Sequence, residues 1–212
     1  MSRTTFPEFY PIIDAETAED FGWTVTDLSV ALFDGGATLL QLRCPHHSLS
    51  QFLACADKLV VQAARYGAQL IINDRVDIAT MSGAAGVHVG QDDLLVPEVK
   101  ALLDPRSVIG LSTHTADQLG ELLLLEVDYA AVGPIYETRT KATGCAAVGL
   151  EAIEAARTAA GSLPIVAIGG ITLENAVAVL EAGASSVAVI GDVFAGGDPT
   201  KRTRDYLERL SV

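Results

Sequence analysis

Positive charge is scarce in this chain. Lysine and arginine number 14 against 27 acids, giving a formal net charge of -13 and a pI near 4.5. No basic run is longer than the pair Lys201-Arg202. Phosphate backbones are bound through clustered Lys and Arg, so a general nucleic-acid surface is excluded and any anion site must be local. Long apolar runs are missing as well. No segment reaches the roughly 18 unbroken apolar residues of a membrane span, and the opening MSRTTFPEFYPIID lacks the apolar core of a signal peptide. Both absences lead to the expectation of a cytoplasmic protein without a membrane partner. Cysteine is sparse: Cys44, Cys55 and Cys145 are odd in number and irregular in spacing, which excludes a full set of internal disulfides and fits reduced thiols. No linker, low-complexity segment or second composition regime divides the 212 residues, so residues 1–212 read as one domain with one large core. The pattern does not fix the oligomeric state, and a homo-oligomer is compatible with it.

What the chain does contain is short apolar runs separated by amphipathic stretches. Eight can be read: FYPIID, ATLLQLR, QLIIND, AGVHVG, VIGLST, YAAVGP, PIVAIGG and SVAVIGD. They are too short and too β-branched for buried helices, and near-continuous apolarity suits parallel strands covered on both faces. Between them, SLSQFLACADKLVVQAARYG shows apolar residues at three and four spacing, and TLENAVAVLEAG reads as a helix from a Thr cap to a terminal Gly. Right-handed crossovers then allow an open doubly wound sheet or a closed (β/α)8 barrel. The undivided α/β pattern and a length near the lower end of the barrel range favour the barrel.

A barrel places its chemistry at the C-terminal ends of the strands. The polar residues lie there: Gln41 and Arg43, Asn73 and Asp74, Gln91 and Asp93, Ser112 and His114, then the loop GPIYETRTKATG from Gly133 to Gly144, then Gly169-Gly170 and Gly191. The glycines after strands seven and eight, with Ile190 and a segment DVFAGG that can open a short helix, have the form of a backbone phosphate site. Thr138 and Thr140 can add hydroxyl donors. Plain turn glycines and solvated threonines are the alternative. Asp74 and Asp93 end neighbouring strands and can share a magnesium ion whose other positions go to water and substrate phosphate. The plainer reading pairs Asp74 with Arg75 and makes Asp93 the cap of the helix in LLVPEVKALL.

The segments QLR, INDRVDIA, GVHVGQDD, GLSTHT, DYAAVGPIYETRTK and PIVAIGGIT, in this order over nearly the whole chain, closely resemble the thiamine-phosphate synthase family. The resemblance implies a single-domain TIM barrel. It also implies that two phosphorylated small molecules, 4-amino-2-methyl-5-hydroxymethylpyrimidine diphosphate and 4-methyl-5-hydroxyethylthiazole phosphate, are joined with magnesium as diphosphate leaves. Carried over by matching motif, Gln41, Arg43, Asn73, Ser112 and Lys141 bind the pyrimidine diphosphate, with Arg43, Lys141 and Ser112 as the catalytic set. Asp74 and Asp93 hold Mg2+; Thr138, Arg139, Thr140, Gly170, Ile190 and Gly191 bind the thiazole phosphate. The implied reaction is dissociative, and the loop GPIYETRTKATG has the glycines and length of a flap over both substrates.

Two positions depart from the family. At Gly191 the family often has serine, a change that a backbone N–H contact survives. More important, the family's Gln-x-Arg-x-Lys reads QLRCPHH here, with Pro45 at the lysine position. Losing a cation contact to a leaving group costs on the order of 2 to 3 kcal/mol, about a hundredfold in rate. His46 or His47, if protonated, is one substitute, and two solvated histidines are the plainer reading. A metal site from Cys44, His46 and His47 is disfavoured, because neighbours on one loop rarely give tetrahedral geometry. Cys44 reads as a small buried filler. His114 keeps a related isomerase, the thiazole tautomerase, as an alternative, against which Asn73, Asp74, Asp93 and Lys141 all count. A non-catalytic barrel that binds thiazole or thiamine phosphates is the third reading.

Overall fold

The computed structural model describes residues 6–113, 125–138 and 146–211. Eight strands, β1 (Phe9–Asp14), β2 (Leu39–Arg43), β3 (Gln69–Asn73), β4 (Gly86–Val89), β5 (Val108–Thr113), β6 (Tyr129–Val132), β7 (Ile165–Ile168) and β8 (Ser186–Val189), pair in sequence order and close, β1 against β8. Every pairing is parallel. Closure excludes the open sheet. Among the described residues the outer layer holds α1 (Ala15–Asp20), α2 (Val25–Asp34), α3 (Leu49–Tyr66), α4 (Val76–Ser82), α5 (Val96–Leu102), α6 (Gly149–Ala160), α7 (Ala176–Glu181) and α8 (Pro199–Leu210), with a 3-10 turn at Gly191–Gly197. No helix among these residues is long and apolar enough to cross a membrane.

Alternation along each strand builds two cores from one sequence. Phe9, Ile13, Leu40, Leu42, Leu70, Ile72, Val87 and Val89 face outward into the larger apolar cluster shared with the helices. Tyr10, Ile12, Leu39, Ile71, Tyr129, Ala131, Val166 and Ala188 fill the barrel interior. The same period of two sends Gln41 and Arg43 inward beyond Leu39, Asn73 inward beyond Ile71, and His88 inward between Val87 and Val89. Each fully buried aliphatic or aromatic side chain stabilises by about 1.5 to 3 kcal/mol, and most of them sit in the outer cluster. The interior is therefore free to hold polar groups near its mouth. Tyr129 obtains its place because Gly110 on the neighbouring strand has no side chain: a Cβ there would lie 2.1 Å from the Tyr129 ring.

The helix boundaries follow their caps. Helix α3 begins at Ser48, whose hydroxyl accepts from Gln51 N while Gln51 Oε1 accepts from Ser48 N, and it ends at Gly67 in the left-handed region. The expected Thr cap of TLENAVAVLEAG is not where α7 starts. Asn175 Oδ1 accepts from Thr172 N and its Nδ2 donates to the Gly170 carbonyl, which holds 172–175 as a turn, and the helix begins at Ala176. The segment DVFAGG does form a short helical turn, as expected.

Candidate active site

A cavity of about 790 Å³ opens at the C-terminal end of the barrel. Gln41, Arg43, Asn73, Asp74, Asp93, Ser112, Thr138, Gly170, Ile190 and Gly191 all line it. Arg139, Thr140, Lys141 and His114 lie outside the described residues, as does Cys145, so the second half of the expected flap, 139–144, also lies outside them.

One side of the cavity is built from side chains. Arg43 is anchored at the end of β2 by Asp14 at the end of β1, directly across the strand pair, with Nη1 donating to Asp14 Oδ2 at 2.5 Å. Asp14 is buried and also caps α1 through Thr17 N and Thr17 Oγ1. This buried carboxylate holds the guanidinium in one orientation, and each charge relieves the other's desolvation. Asp74 follows β3 in a left-handed backbone conformation, φ 62°, fixed by its N–H donating to the His88 carbonyl at 2.7 Å. That region is unusual for a residue other than glycine, and it turns the Asp74 side chain into the cavity wall. Asp93 Oδ2 accepts from Gly90 N at 2.7 Å, so Asp93 closes its own turn; α5 starts at Val96 with Leu95, not Asp93, at the cap position. Arg75 pairs with Asp77, with a 2.8 Å bond from Nε to Oδ1. That pair holds the Asp77 carboxyl below its usual range through the direct hydrogen bond. The pairing of Asp74 with Arg75 is thus replaced by one between Arg75 and Asp77.

The opposite side is built from backbone. Loop segments after β6 and β7 run together, Ile135 N donating to the Ile168 carbonyl and Tyr136 N to the Gly169 carbonyl. Gly170 has φ 62°, and a Cβ there would meet the Glu137 carbonyl at 2.5 Å, so the close approach of the two loops demands glycine. Asp192, next to Gly191, also lines the cavity and braces this side through its carboxylate. Its carboxylate accepts from Leu173 N at 3.1 Å, from Tyr206 Oη at 2.6 Å and from both Nε and Nη2 of Arg202. Burial and then the Asp192 carboxylate push the Tyr206 phenol far up, so it remains a donor.

Pro45, His46 and His47 are not part of the cavity wall. His46 pairs with Glu16 at 3.2 Å and its side chain is 79% exposed to solvent. No cluster of three or more His, Cys, Asp and Glu suited to a metal occurs among the described residues, so Cys44, His46 and His47 do not form one. Cys44 is buried as expected, but it is more than filler: it lies against Cys55, and both thiols are free. The Cys44 thiol hydrogen-bonds to Cys55 and holds it below the ordinary thiol range, while Cys44 itself is pushed up by the same contact and by burial.

Sequence patterns did not single out the floor of the cavity. Tyr10 and Tyr129 hide in the apolar runs FYPIID and YAAVGP, and His88 in AGVHVG. Yet Gln41 Nε2 donates to Tyr10 Oη at 3.0 Å, Tyr10 Oη lies 3.2 Å from Tyr129 Oη, and His88 bridges Tyr129 Oη and Ser112 Oγ, each at 2.9 Å. Asp14 and Asp192 were missed as well. The signal for Asp14 was its place as the one charge ending FYPIID, and for Asp192 its position after Gly191.

Known proteins share both the sequence and the fold. The thiamine monophosphate synthase family profile matches residues 9–193. A thiamine-phosphate synthase from Koribacter versatilis is 41% identical over 211 residues, covering 99% of this chain and 98% of that protein. One from Shouchella clausii is 40% identical over 186 residues, 87% of this chain and 88% of its own length. The solved thiamine phosphate pyrophosphorylase from Pyrococcus furiosus superposes with a TM-score of 0.85 at 27% identity, covering 96% of this chain and 95% of that one. A 3-hexulose-6-phosphate synthase, 17% identical with a TM-score of 0.72, shares the fold alone. With the profile spanning the barrel from its first strand to the turn after its last, and the relatives spanning nearly all of it, this chain belongs to the thiamine monophosphate synthase family.

Proposed function

We propose that this chain joins 4-amino-2-methyl-5-hydroxymethylpyrimidine diphosphate to 4-methyl-5-hydroxyethylthiazole phosphate, releasing diphosphate in a step of thiamine biosynthesis, by a dissociative route. The observation that carries this reading is a single cavity with two unlike sides. Arg43, Asn73, Asp74 and Asp93 offer charged and amide groups on one, and Thr138, Gly170, Ile190 and Gly191 offer a glycine-rich backbone on the other. A substrate that must lose diphosphate calls for the first, and a phosphate that only anchors its molecule calls for the second.

Charge builds on the departing diphosphate as its bond to the pyrimidine methylene breaks. Arg43, held by Asp14, meets that charge with little reorganisation, and Lys141 would add a second cation from the loop after β6. The thiazole nitrogen then attacks the methylene cation, its phosphate fixed on the glycine side so that the two rings stay in line. Asp74 and Asp93 suit a hard cation, because both line the same wall and Gly90 N–H engages only Oδ2 of Asp93. Magnesium, when bound, would supply positive charge toward the diphosphate.

The test is formation of thiamine phosphate and diphosphate from both substrates, with and without magnesium, in wild type, Lys141→Ala and Pro45→Lys. Magnesium-dependent product that Lys141→Ala abolishes is expected. No thiamine phosphate from wild type under any of these conditions sinks the reading.

A further inference from the structure

The barrel floor carries a hydrogen-bond chain whose two ends face the cavity. It runs Gln41, Tyr10, Tyr129, His88, Ser112, with separations of 3.0, 3.2, 2.9 and 2.9 Å. The first four are buried, and all five line the cavity. Register makes the chain continuous: His88 lies beside Gly110, and Gly110 beside Tyr129, whose ring occupies the space that a side chain at 110 would fill.

The chain has a direction. Gln41 donates from Nε2 to Tyr10 Oη, so its amide is turned with Oε1 the other way. A phenol has one hydrogen; with Gln41 Nε2 donating to Tyr10, the order that gives every hydrogen in the chain an acceptor has Tyr10 donating to Tyr129 and Tyr129 to His88 Nδ1. A neutral imidazole accepting at Nδ1 carries its hydrogen on Nε2, which donates to Ser112 Oγ. The Ser112 hydroxyl hydrogen is then left for the cavity. Burial pushes both phenols far up, so neither loses the hydrogen on which this order depends. Ser112 is also pinned through its own backbone, since Gln91 Nε2 donates to its carbonyl at 2.5 Å.

We propose that Tyr10, Tyr129 and His88 are positioning residues that fix Gln41 as an acceptor and Ser112 as a donor toward the substrate, and so select a 4-aminopyrimidine over its 4-oxo counterpart. This rests on the proposed function and on the resemblance's assignment of Gln41 and Ser112 to the pyrimidine diphosphate. A 4-aminopyrimidine brings an exocyclic N–H donor and unprotonated ring nitrogens that accept. The 4-oxo ring brings a carbonyl acceptor and a ring N–H donor, reversing both. Gln41 and Ser112 can meet the reversed ring only if the whole chain reverses together, the Gln41 amide flipping, both phenols turning and the His88 hydrogen moving to Nδ1; any partial turn leaves a buried polar group unpaired, which is what makes such discrimination large.

Two measurements test the proposal. Imidazole nitrogen shifts of 15N-labelled wild-type protein report the His88 tautomer without substrate. Neutral His88 with hydrogen on Nε2 is expected, and hydrogen on Nδ1 overturns the proposal. Calorimetric binding of the 4-amino and 4-oxo pyrimidine diphosphates, without thiazole phosphate, then reads selectivity in wild type, Tyr129→Phe and Tyr10→Phe. Wild type is expected to prefer the amino ring by on the order of a hundredfold or more, and Tyr129→Phe to cut that preference by about tenfold or more with the thiazole phosphate KM unchanged. An unchanged preference in a folded Tyr129→Phe protein reduces the chain to core packing and overturns the proposal. Should Tyr129→Phe not fold, Tyr10→Phe and the wild-type tautomer decide it. Wild type binding neither pyrimidine overturns the substrate reading itself, a result distinct from equal binding of both, which overturns only the selection.

Discussion

The two sides of the cavity are made in opposite ways. On the side of β2 to β5, inward-pointing side chains are held by other side chains: Arg43 by Asp14, and Gln41 and Ser112 by the buried chain through Tyr10, Tyr129 and His88. On the side of β6 to β8, backbone is held by backbone, and the Asp192 carboxylate braces it. The difference matches the work proposed for each. A leaving group needs charge aimed at it and a ring needs donors and acceptors of fixed sense, both of which require side chains. An anchoring phosphate needs only N–H groups at close range.

If this contrast is correct, the largest effect belongs to the side-chain half. Arg43→Ala removes both the cation and the partner of buried Asp14. We expect kcat/KM to fall at least about a thousandfold and stability to drop by about 3 kcal/mol in urea titration. Retained activity would dissolve the distinction. Next comes Gly170→Ala, where the new Cβ meets the Glu137 carbonyl at a backbone φ of 62°. A stability loss of about 1 to 3 kcal/mol is expected, with a rise in KM for the thiazole phosphate and little change in KM for the pyrimidine. Asp192→Asn weakens the brace without touching the cavity's N–H groups, and a several-fold rise in the same KM is the expected readout. Pro45→Lys sharpens the comparison from the other direction. Pro45 is exposed and outside the cavity wall, so a flexible lysine is expected to raise kcat/KM by about tenfold, short of the hundredfold that a lost contact of full strength implies.

The smallest effect on turnover belongs to a pair next to the site. The hydrogen bond from the Cys44 thiol holds Cys55 below the ordinary thiol range, so Cys55 forms its thiolate at lower pH than a free thiol does. Alkylation of Cys55 by iodoacetamide should therefore rise with pH around a midpoint below that of an ordinary thiol and level off above it, with activity nearly unchanged. A midpoint near the ordinary thiol range in wild type, unaltered in Cys44→Ala, would contradict that coupling.

Much of the barrel was legible because alternation and β-branching leave few choices. The runs FYPIID and VIGLST are β1 and β5 to the residue. The rim residues were legible for the same reason: a polar residue at the end of an apolar run has only the cavity to face. What stayed hidden was polar groups within those runs. Tyr10, Tyr129 and His88 read as strand formers, and nothing in one dimension distinguishes a tyrosine that fills a core from one that hands on a hydrogen bond. Local pairing misled for a related reason. Asp74 next to Arg75 suggested an ion pair, but Arg75 finds Asp77 on the first turn of α4, and Asp74 takes the left-handed conformation at the end of β3. The start of α7 moved because an Asn side chain, and not the Thr ahead of it, organised the turn.

The most direct test of the two-sided cavity is steady-state formation of thiamine phosphate, with the KM of each substrate determined separately for wild type, Arg43→Lys and Gly170→Ala. The account predicts product from wild type, a raised KM for the pyrimidine diphosphate in Arg43→Lys alone, and a raised KM for the thiazole phosphate in Gly170→Ala alone. Both variants shifting the same substrate, or no product from wild type, would contradict it.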